Sequence, residues 1–432
     1  MYGELFLASE KTVEKSDWVL AFLQDALADQ NSPPQRRRRI VRILKDLPST
    51  TEAGAAILEA LSQDEDPSVR IEAAWAYARI KRPPSVELRY AETTVVDEWL
   101  QAFPSPLEYN PFGAITAEAD VFLDRHFFEH PVYRQLLDYG SQSVAIFADL
   151  GDGKTSCRRM LKSSLKSPPN LVVEYTDFSA LMREASKISV EDHVRGILRQ
   201  ASALLGVEAK SLTPSDVPWR EQLRRFLESA QQKGYMIIHV LVDNVDGYAE
   251  TQANLRIAEL LIRHLVGNFD LLDKANLYFN FYLPLSLKER LSTYGGFRTG
   301  RIKITNLTWS HDLLQEVVKV RLQAASSPRS KVDSLMALTG GHQPVTLDSL
   351  LVERTRGSPA SPLGWPATAD LDRLLAGQAQ GSPRRLVALV NMLFQHRAQI
   401  WHESAKSSKE LFITMADWAT LLEHLLRQGD VI

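Results

Sequence analysis

The sequence predicts a three-layer α/β fold with a five-stranded parallel sheet, preceded by an all-α arm and followed by a helical lid. Three observations support this prediction: five short apolar runs separated by helical stretches, a glycine-rich loop directly after the first run, and a proline-punctuated helical pattern near the N-terminus. Buried strands that alternate with helices are typical of a parallel sheet covered on both faces. At 432 residues the chain exceeds what one core usually supports, so we expect several packed units.

The composition excludes several classes of protein. Hydrophobic residues make up 44% and charged residues 24% of the chain, as in ordinary globular proteins. A formal net charge of -3 gives no general attraction for nucleic acid or anionic lipid. No apolar run approaches the roughly 18 residues of a membrane span, and we find no signal-peptide core, so we expect a cytoplasmic protein without a membrane partner. The single Cys157 excludes an internal disulfide and a multi-cysteine metal site.

Residues 1–105 are predicted to form a helical arm and a linker. Proline-containing turns break this region into four short helices, and the last of them begins at Pro67, where the missing N–H does no harm. Its sequence resembles the second helix of a HEAT repeat. That resemblance implies about two repeats and a surface for a protein partner. The apolar stripe of this helix comprises Val69, Ala73, Ala76 and Ile80.

The run Arg36-Arg-Arg-Arg39 leaves two interpretations open. Clustered cations bind phosphate by releasing its counterions. Four consecutive residues on a helix, however, point in different directions around its circumference. We therefore favour a solvated surface, with a functional anionic contact as the alternative.

The predicted α/β core covers residues 106–306, and its β-type runs are 143–148, 171–175, 236–242, 277–283 and 301–304. Residues 307–432 are predicted to form the helical lid, with Ser310 as the N-cap of its first helix. Between Gly340 and Gly381 the chain is rich in Gly, Pro and Ser, which indicates a flexible insertion.

The glycine-rich loop Ala148-Asp-Leu-Gly-Asp-Gly-Lys-Thr155 lies between the first strand and a helix. Gly151 and Gly153 allow successive backbone N–H groups to face a phosphate, and the helix dipole adds positive potential. Lys154 is expected to reach the β- and γ-phosphates of ATP, and Thr155 to offer its hydroxyl to Mg²⁺. Alanine replaces the first glycine of the GxxxxGK[ST] pattern. The predicted nucleotide-binding residues of the loop are Gly151, Asp152, Gly153, Lys154, Thr155 and Ser156.

An acidic turn, Asp243-Asn-Val-Asp246, follows the third predicted strand. It resembles the Walker B strand of P-loop ATPases that carry an extra strand between their two Walker strands. The resemblance implies that Asp243 holds Mg²⁺ and that Asp246 orients or deprotonates the attacking water. A plain Asx turn is the alternative. The role of Asp246 also stays open because many members of this class carry Glu where Asn244 stands.

Together with the segment Gly381-Ser-Pro-Arg-Arg-Leu386, these motifs resemble the STAND and origin-recognition-like branch of the AAA+ superfamily, over about residues 108–428. By that resemblance Arg384, or failing it Arg385, contacts phosphate from the lid. The same resemblance places Phe112 beside adenine, although packing alone would also use a phenylalanine there.

Three further residues are site candidates by the same resemblance. Asn280, on the fourth strand, is the candidate for a residue that senses the γ-phosphate, with a plain strand residue as the alternative. Arg298 or Arg301, before the fifth strand, is the candidate arginine finger for a neighbouring subunit, with a surface cation as the alternative.

The resemblance implies ATP or ADP and Mg²⁺ as ligands, self-association on ATP binding, and one of three functions. The first is a STAND-like ATP-dependent switch whose nucleotide state controls conformation, oligomerisation and partner engagement, in a bacterial antiviral defence setting. The second is an AAA+ ATPase acting on DNA, like initiators or transposition regulators. The third is a nucleotide-binding scaffold with little turnover. The negative net charge and the lack of a winged-helix pattern favour the first over the second.

Overall fold

The structure, a computed structural model, describes residues 88–427 with gaps at 105, 141, 183–184, 209–212, 214–215, 327–345 and 348–370, together with isolated positions between 33 and 73. Most of the predicted helical arm, with its HEAT-like repeats, therefore lies outside the described residues, as does most of the predicted insertion. Val69 and Ala73 of the predicted apolar stripe are described, and both are fully buried.

The helices and strands follow one another in the alternating order that the sequence predicts. In chain order they are α1 (Thr93–Gln101), α2 (Leu123–His126), α3 (Pro131–Asp138), β1 (Ser143–Ala148), α4 (Lys154–Ser164), β2 (Asn170–Tyr175), α5 (Ser179–Met182), α6 (Val190–Leu205), α7 (Trp219–Gln232), β3 (Ile237–Val242), α8 (Ala249–Ala253), α9 (Leu255–Gly267), α10 (Phe269–Leu272), β4 (Leu277–Pro284), α11 (Lys288–Ser292), α12 (Gly295–Arg298), β5 (Ile302–Asn306), α13 (His311–Ala325), α14 (Leu371–Gln378), α15 (Pro383–Glu403) and α16 (Met415–Arg427).

The five strands form one parallel sheet in the order β2-β3-β4-β1-β5. The predicted five-stranded parallel sheet is confirmed, and so is the extra strand, since β4 lies between β1 and β3. The register pairs Ala148 with Pro284 and Val242 with Phe281. Because all strands run the same way, the ends of β1 and β3 lie at the same edge of the sheet.

Apolar side chains cover both faces of the sheet. All six residues of β1 are buried. Ala145 and Phe147 belong to a core cluster with residues of α6, α7 and α9. Val144 and Ile146 belong to a second cluster with residues of α3 and α4. Successive strand residues point to opposite faces, so a continuous apolar run is what a strand buried on both sides requires.

One helix of the predicted lid begins where the sequence predicts, and another lies where no helix is predicted. Ser310 caps α13, because its Oγ accepts a hydrogen bond from the N–H of Leu313 at 3.2 Å, as predicted. Helix α14 falls within the predicted flexible insertion. Its buried Leu371 and Leu375, spaced four residues apart, form an apolar stripe among the surrounding glycines and prolines.

The described residues fall into two compact units. One contains residues 114–321 together with 379–386, and it holds the sheet and the glycine-rich loop. The other contains the described residues up to Gly113 and those from Leu322 onward, apart from 379–386. The predicted boundaries near residues 105 and 306 stay predictions. Among the described helices, none combines the length and the apolar character needed to cross a membrane.

Candidate functional site

The loop between β1 and α4 is a tight turn built on two glycines. Gly151 and Gly153 have φ angles of 94° and 92°, which residues with a Cβ rarely adopt. The carboxylate of Asp152 accepts a hydrogen bond from the N–H of Asp149 at 3.0 Å and closes the loop on itself. Ser156 lies half-buried in the first turn of α4. The first N–H groups of this helix have no acceptor within the helix, which makes its N-terminus suited to an anion.

The ammonium group of Lys154 lies over this loop. Its Nζ donates to the backbone oxygens of Ala148 at 3.0 Å and Asp149 at 3.1 Å, and lies 3.4 Å from Oδ2 of Asp246. The side chain of Lys154 is only 8% exposed, whereas that of Asp246 is 22% exposed. The structure therefore brings these two predicted residues together at the end of the sheet.

Asp243 is buried at the end of β3 and joins the loop to the acidic turn. Its Oδ2 accepts hydrogen bonds from Thr155 Oγ1 at 3.2 Å and from Arg158 Nε at 2.8 Å. Burial raises the pKa of the Asp243 carboxyl, and the charge of Arg158 opposes that rise. A hydroxyl and a carboxylate oxygen thus converge. Mg²⁺ prefers oxygen ligands, and in nucleotide sites the protein supplies only one or two of them while water and phosphate supply the rest. Thr155 and Asp243 therefore fit this ion.

The acidic turn owes its shape to Asn244, which has a φ of 68°. Asparagine tolerates this left-handed conformation better than glutamate does. The N–H of Gly247 donates to the carbonyl oxygen of Asn244, and a Cβ at Gly247 would lie 1.8 Å from Oδ1 of Asn244. Val245 is fully buried. These constraints turn the chain back toward the glycine-rich loop, so that Asp246 faces Lys154.

The predicted phosphate-contacting segment of the lid lies directly on the loop. The N–H of Arg384 donates to the carbonyl oxygen of Gly151 at 3.3 Å. A Cβ at Gly151 would lie 3.0 Å from Ser382 Oγ and 3.2 Å from the Cβ of Arg384. The side chain of Arg384 is exposed, and that of Arg385 is half-buried with Nη1 3.3 Å from Oε1 of Gln380. Contact with phosphate stays a prediction for both arginines.

Asn280 lies in the middle of β4, and its predicted role in sensing the γ-phosphate stays a prediction. It pairs with Val144 and Leu241, four residues before the end of β4 at Pro284. Four residues of a strand span roughly 13 Å. Asn280 is buried, and its Nδ2 has no hydrogen-bond partner among the described residues. Tyr282, also buried, is the polar residue of β4 nearer the strand end.

Phe112 is fully buried in the other compact unit, where its ring packs edge-to-face on Phe394 with centroids 5.5 Å apart. The packing alternative accounts for this contact. The predicted position of Phe112 beside adenine remains a prediction.

Arg298 and Arg301 lie at the edge of the sheet opposite the loop. Ile302, the first residue of β5, pairs with Ser143, and the length of β1 puts roughly 17 Å between that edge and the loop. The Nε of Arg301 lies 2.6 Å from Asp273 Oδ1, and its guanidinium stacks 4.4 Å from the Phe269 ring. Arg298 is exposed and makes no ion pair with any described residue. It is therefore the better placed of the two to contact another chain.

Two residues at the site were not predicted. Arg158 lies four residues after Lys154, so one helical turn brings it to the same side of α4, and that spacing was an available signal. Trp309 donates from Nε1 to the carbonyl oxygen of Asp152 at 2.8 Å, and its ring lies 4.7 Å from that of His130. Nothing in the local sequence around Trp309 indicates this contact.

No protein-family model matches the sequence, and no curated protein matches it significantly. Among solved structures, the chain is similar to the Aeropyrum pernix ORC1 protein in complex with DNA, at 13% identity over 71% of this chain and 68% of that one, with a TM-score of 0.35. It is similar to the Aeropyrum pernix ORC2 protein with ADPNP and ADP, at 12% identity over 80% and 74%, TM-score 0.35. It is also similar to Cdc6p from Pyrobaculum aerophilum, at 11% identity over 75% of this chain and 69% of that one, with a TM-score of 0.34. Such low scores assign no function, so the functional conclusion depends on the geometry of the site.

Proposed function

We propose that the chain binds ATP with Mg²⁺ and hydrolyses it, as a P-loop ATPase of the AAA+ type. The observation that supports this proposal is the convergence of Lys154, Thr155, Asp243 and Asp246 at one edge of the sheet. A lysine at a helix N-terminus is matched to the β- and γ-phosphates. Mg²⁺, when bound by Thr155 and Asp243, would neutralise charge on the phosphate oxygens.

Lys154 would have to exchange its partners when a nucleotide binds. Its ammonium donates to two backbone oxygens and faces the Asp246 carboxylate. Phosphate oxygens form stronger, charge-assisted hydrogen bonds with an ammonium than neutral carbonyls do. Movement of Lys154 toward phosphate would release Asp246, which would then orient or deprotonate the attacking water.

The nucleotide state would reach the rest of the chain through the segment 381–386, because Arg384 and Ser382 contact Gly151 of the loop. A change in the loop on nucleotide binding would move the start of α15. A conformational or oligomeric switch driven by ATP is consistent with this contact. The STAND-like switch, the defence setting and a protein partner for the arm stay predictions.

The test compares ATP binding and hydrolysis in the wild type, Asp243→Asn and Asp246→Asn. Asp243→Asn is expected to weaken Mg²⁺-dependent binding because it removes an anionic ligand. Asp246→Asn is expected to spare binding and to reduce turnover about a hundredfold, as for loss of a general base. Asp138→Asn, at an exposed carboxylate of α3, is the matched control. Equal turnover in the wild type and Asp246→Asn would show that the base lies elsewhere. Absence of turnover in the wild type would contradict the proposed hydrolysis and favour the nucleotide-binding scaffold.

The same assay with duplex DNA separates the two active functions. Stimulated hydrolysis would favour an ATPase that acts on DNA. Unchanged hydrolysis, together with a rise in mass on ATP binding by light scattering, would favour the ATP-dependent switch.

A further inference from the structure

Arg158 connects the candidate Mg²⁺ ligand to a second carboxylate. Its Nε donates to Asp243 Oδ2 at 2.8 Å, and its Nη1 is hydrogen-bonded to Glu174, on β2. The side chain of Arg158 is 12% exposed and that of Asp243 is 5% exposed. Lys162, one turn farther along α4, also pairs with Glu174. The guanidinium thus lies between two anions of different burial.

Both oxygens of Asp243 are engaged by the chain itself. Oδ2 accepts from Thr155 and Arg158, and Oδ1 accepts from the N–H of Asn244 at 2.8 Å. A buried carboxylate requires a counter-charge, and Arg158 is the cation that supplies it. The oxygen that faces Thr155, the other candidate ligand, is therefore the oxygen that already carries the guanidinium.

We propose that Arg158 is a positioning residue that holds the place of the divalent cation. Its guanidinium neutralises and orients Asp243, and it competes with Mg²⁺ for the same oxygen. With Thr155 and Asp243 holding Mg²⁺, the guanidinium would give up Asp243 and keep its pairing with Glu174. This inference depends on the proposed function, since it concerns how the same site takes up Mg²⁺.

Electrostatic repulsion disfavours an arrangement in which Arg158 and Mg²⁺ share the Oδ2 atom of Asp243. Two cations at one carboxylate oxygen repel each other strongly in the low effective dielectric of a protein. The side chain of Glu174 is 28% exposed, against 5% for Asp243, so Glu174 stays in contact with solvent and is the less buried partner for the guanidinium. Competition by Arg158 makes nucleotide binding depend less on Mg²⁺ than it would with a neutral residue at this position.

The experiment measures the affinity for AMP-PNP, a non-hydrolysable ATP analogue, by calorimetry in Mg²⁺ and in EDTA. The ratio of the two dissociation constants, EDTA over Mg²⁺, is the magnesium coupling. Arg158→Gln keeps a hydrogen-bond donor for Asp243 but removes the charge. We expect it to raise the magnesium coupling about tenfold, within the usual range of couplings between two ligands. Arg158→Lys, which keeps a cation, is expected to stay near the wild type.

Lys162→Gln is the matched control, because it removes a cation from the same helix and from the same Glu174 without touching Asp243. Its magnesium coupling is expected to equal that of the wild type. General destabilisation by Arg158→Gln would weaken binding in both buffers and leave the ratio unchanged. A ratio in Arg158→Gln equal to or below the wild-type value would overturn the inference.

A second variant serves if Arg158→Gln does not fold. Glu174→Gln removes the alternative partner of Arg158, so the guanidinium is held on Asp243 and the magnesium coupling is expected to fall several-fold. An unchanged or higher ratio in Glu174→Gln would overturn the inference. Failure of the wild type to bind AMP-PNP in either buffer would instead overturn the proposed function, so the two failures are distinguishable.

Discussion

Replacement of Gly151 by alanine tests whether the conformation of the phosphate loop and its contact with the lid segment are both needed for binding. Gly151 has a φ of 94°, a conformation that costs a residue with a Cβ about 1–2 kcal/mol. The added methyl would also lie 3.0 Å from Ser382 Oγ and 3.2 Å from the Cβ of Arg384, so both neighbours would have to shift.

Gly234 is a matched control for the backbone contribution. Its φ is 86°, and a Cβ there would meet nothing within 4 Å. Alanine restricts the unfolded chain and recovers about 0.4–1 kcal/mol at either position. We therefore expect Gly234→Ala to lower the free energy of unfolding by about 1 kcal/mol. Gly151→Ala should lower it by about 2–3 kcal/mol, because overpacking adds to the backbone strain.

Urea unfolding followed by circular dichroism measures these two free energies, and calorimetry measures AMP-PNP affinity. Gly151→Ala is expected to weaken affinity at least about tenfold, since the loop N–H groups lose their arrangement around the phosphates. Gly234→Ala should bind like the wild type. Equal stability losses in the two variants, together with wild-type affinity in Gly151→Ala, would refute this reasoning.

Three other predictions address turnover, assembly and pH. Asp246→Asn should leave AMP-PNP affinity within about twofold of the wild type, and a coupled phosphate-release assay should show the loss of turnover expected for a base. ATP with Mg²⁺ should raise the mass measured by light scattering. Mixing the Arg298→Ala and Lys154→Ala variants should restore some hydrolysis, because each supplies the residue that the other lacks. A chain that stays monomeric with ATP, and whose Arg298→Ala variant hydrolyses ATP normally, would contradict this prediction. Burial lowers the pKa of His239 from 6.5 to about 4, so the unfolded state takes up a proton first as the pH falls, and about 2 kcal/mol of stability should be lost between pH 7 and pH 5. His239→Gln should remove that part of the loss in urea unfolding, whereas the exposed His402→Gln should not.

The features that could be predicted from the sequence are those with local causes. Each strand is a short apolar run, and the structure places its ends within two residues of the predicted ends. The loop from β1 to α4 contains two glycines with positive φ angles, a conformation that glycine adopts more readily than other residues, so the glycines themselves indicate the turn. Ser310 caps α13 by accepting a hydrogen bond from the N–H of Leu313, only three residues farther along the chain. A short sequence motif can indicate such a local contact.

The features that could not be predicted depend on distant parts of the chain. Arg158 and Asp243 are 85 residues apart, and Trp309 and Asp152 are 157 residues apart. Their contacts follow from the order of strands in the sheet rather than from any local pattern. Asn280 illustrates register: its distance from the end of β4 is visible only when β4 is aligned with β1. Helix α14 could not be predicted because the surrounding sequence is rich in glycine and proline, which is typical of a loop.

The central claim is that Lys154 makes the loop a nucleotide site, and calorimetric titration of ATP into the wild type and Lys154→Ala tests it most directly. Lys162→Ala is the control, since it removes an exposed cation from the same helix. We predict that Lys154→Ala loses ATP binding while its circular dichroism spectrum is unchanged, and that Lys162→Ala binds like the wild type. ATP affinity in Lys154→Ala equal to that of the wild type would contradict the claim.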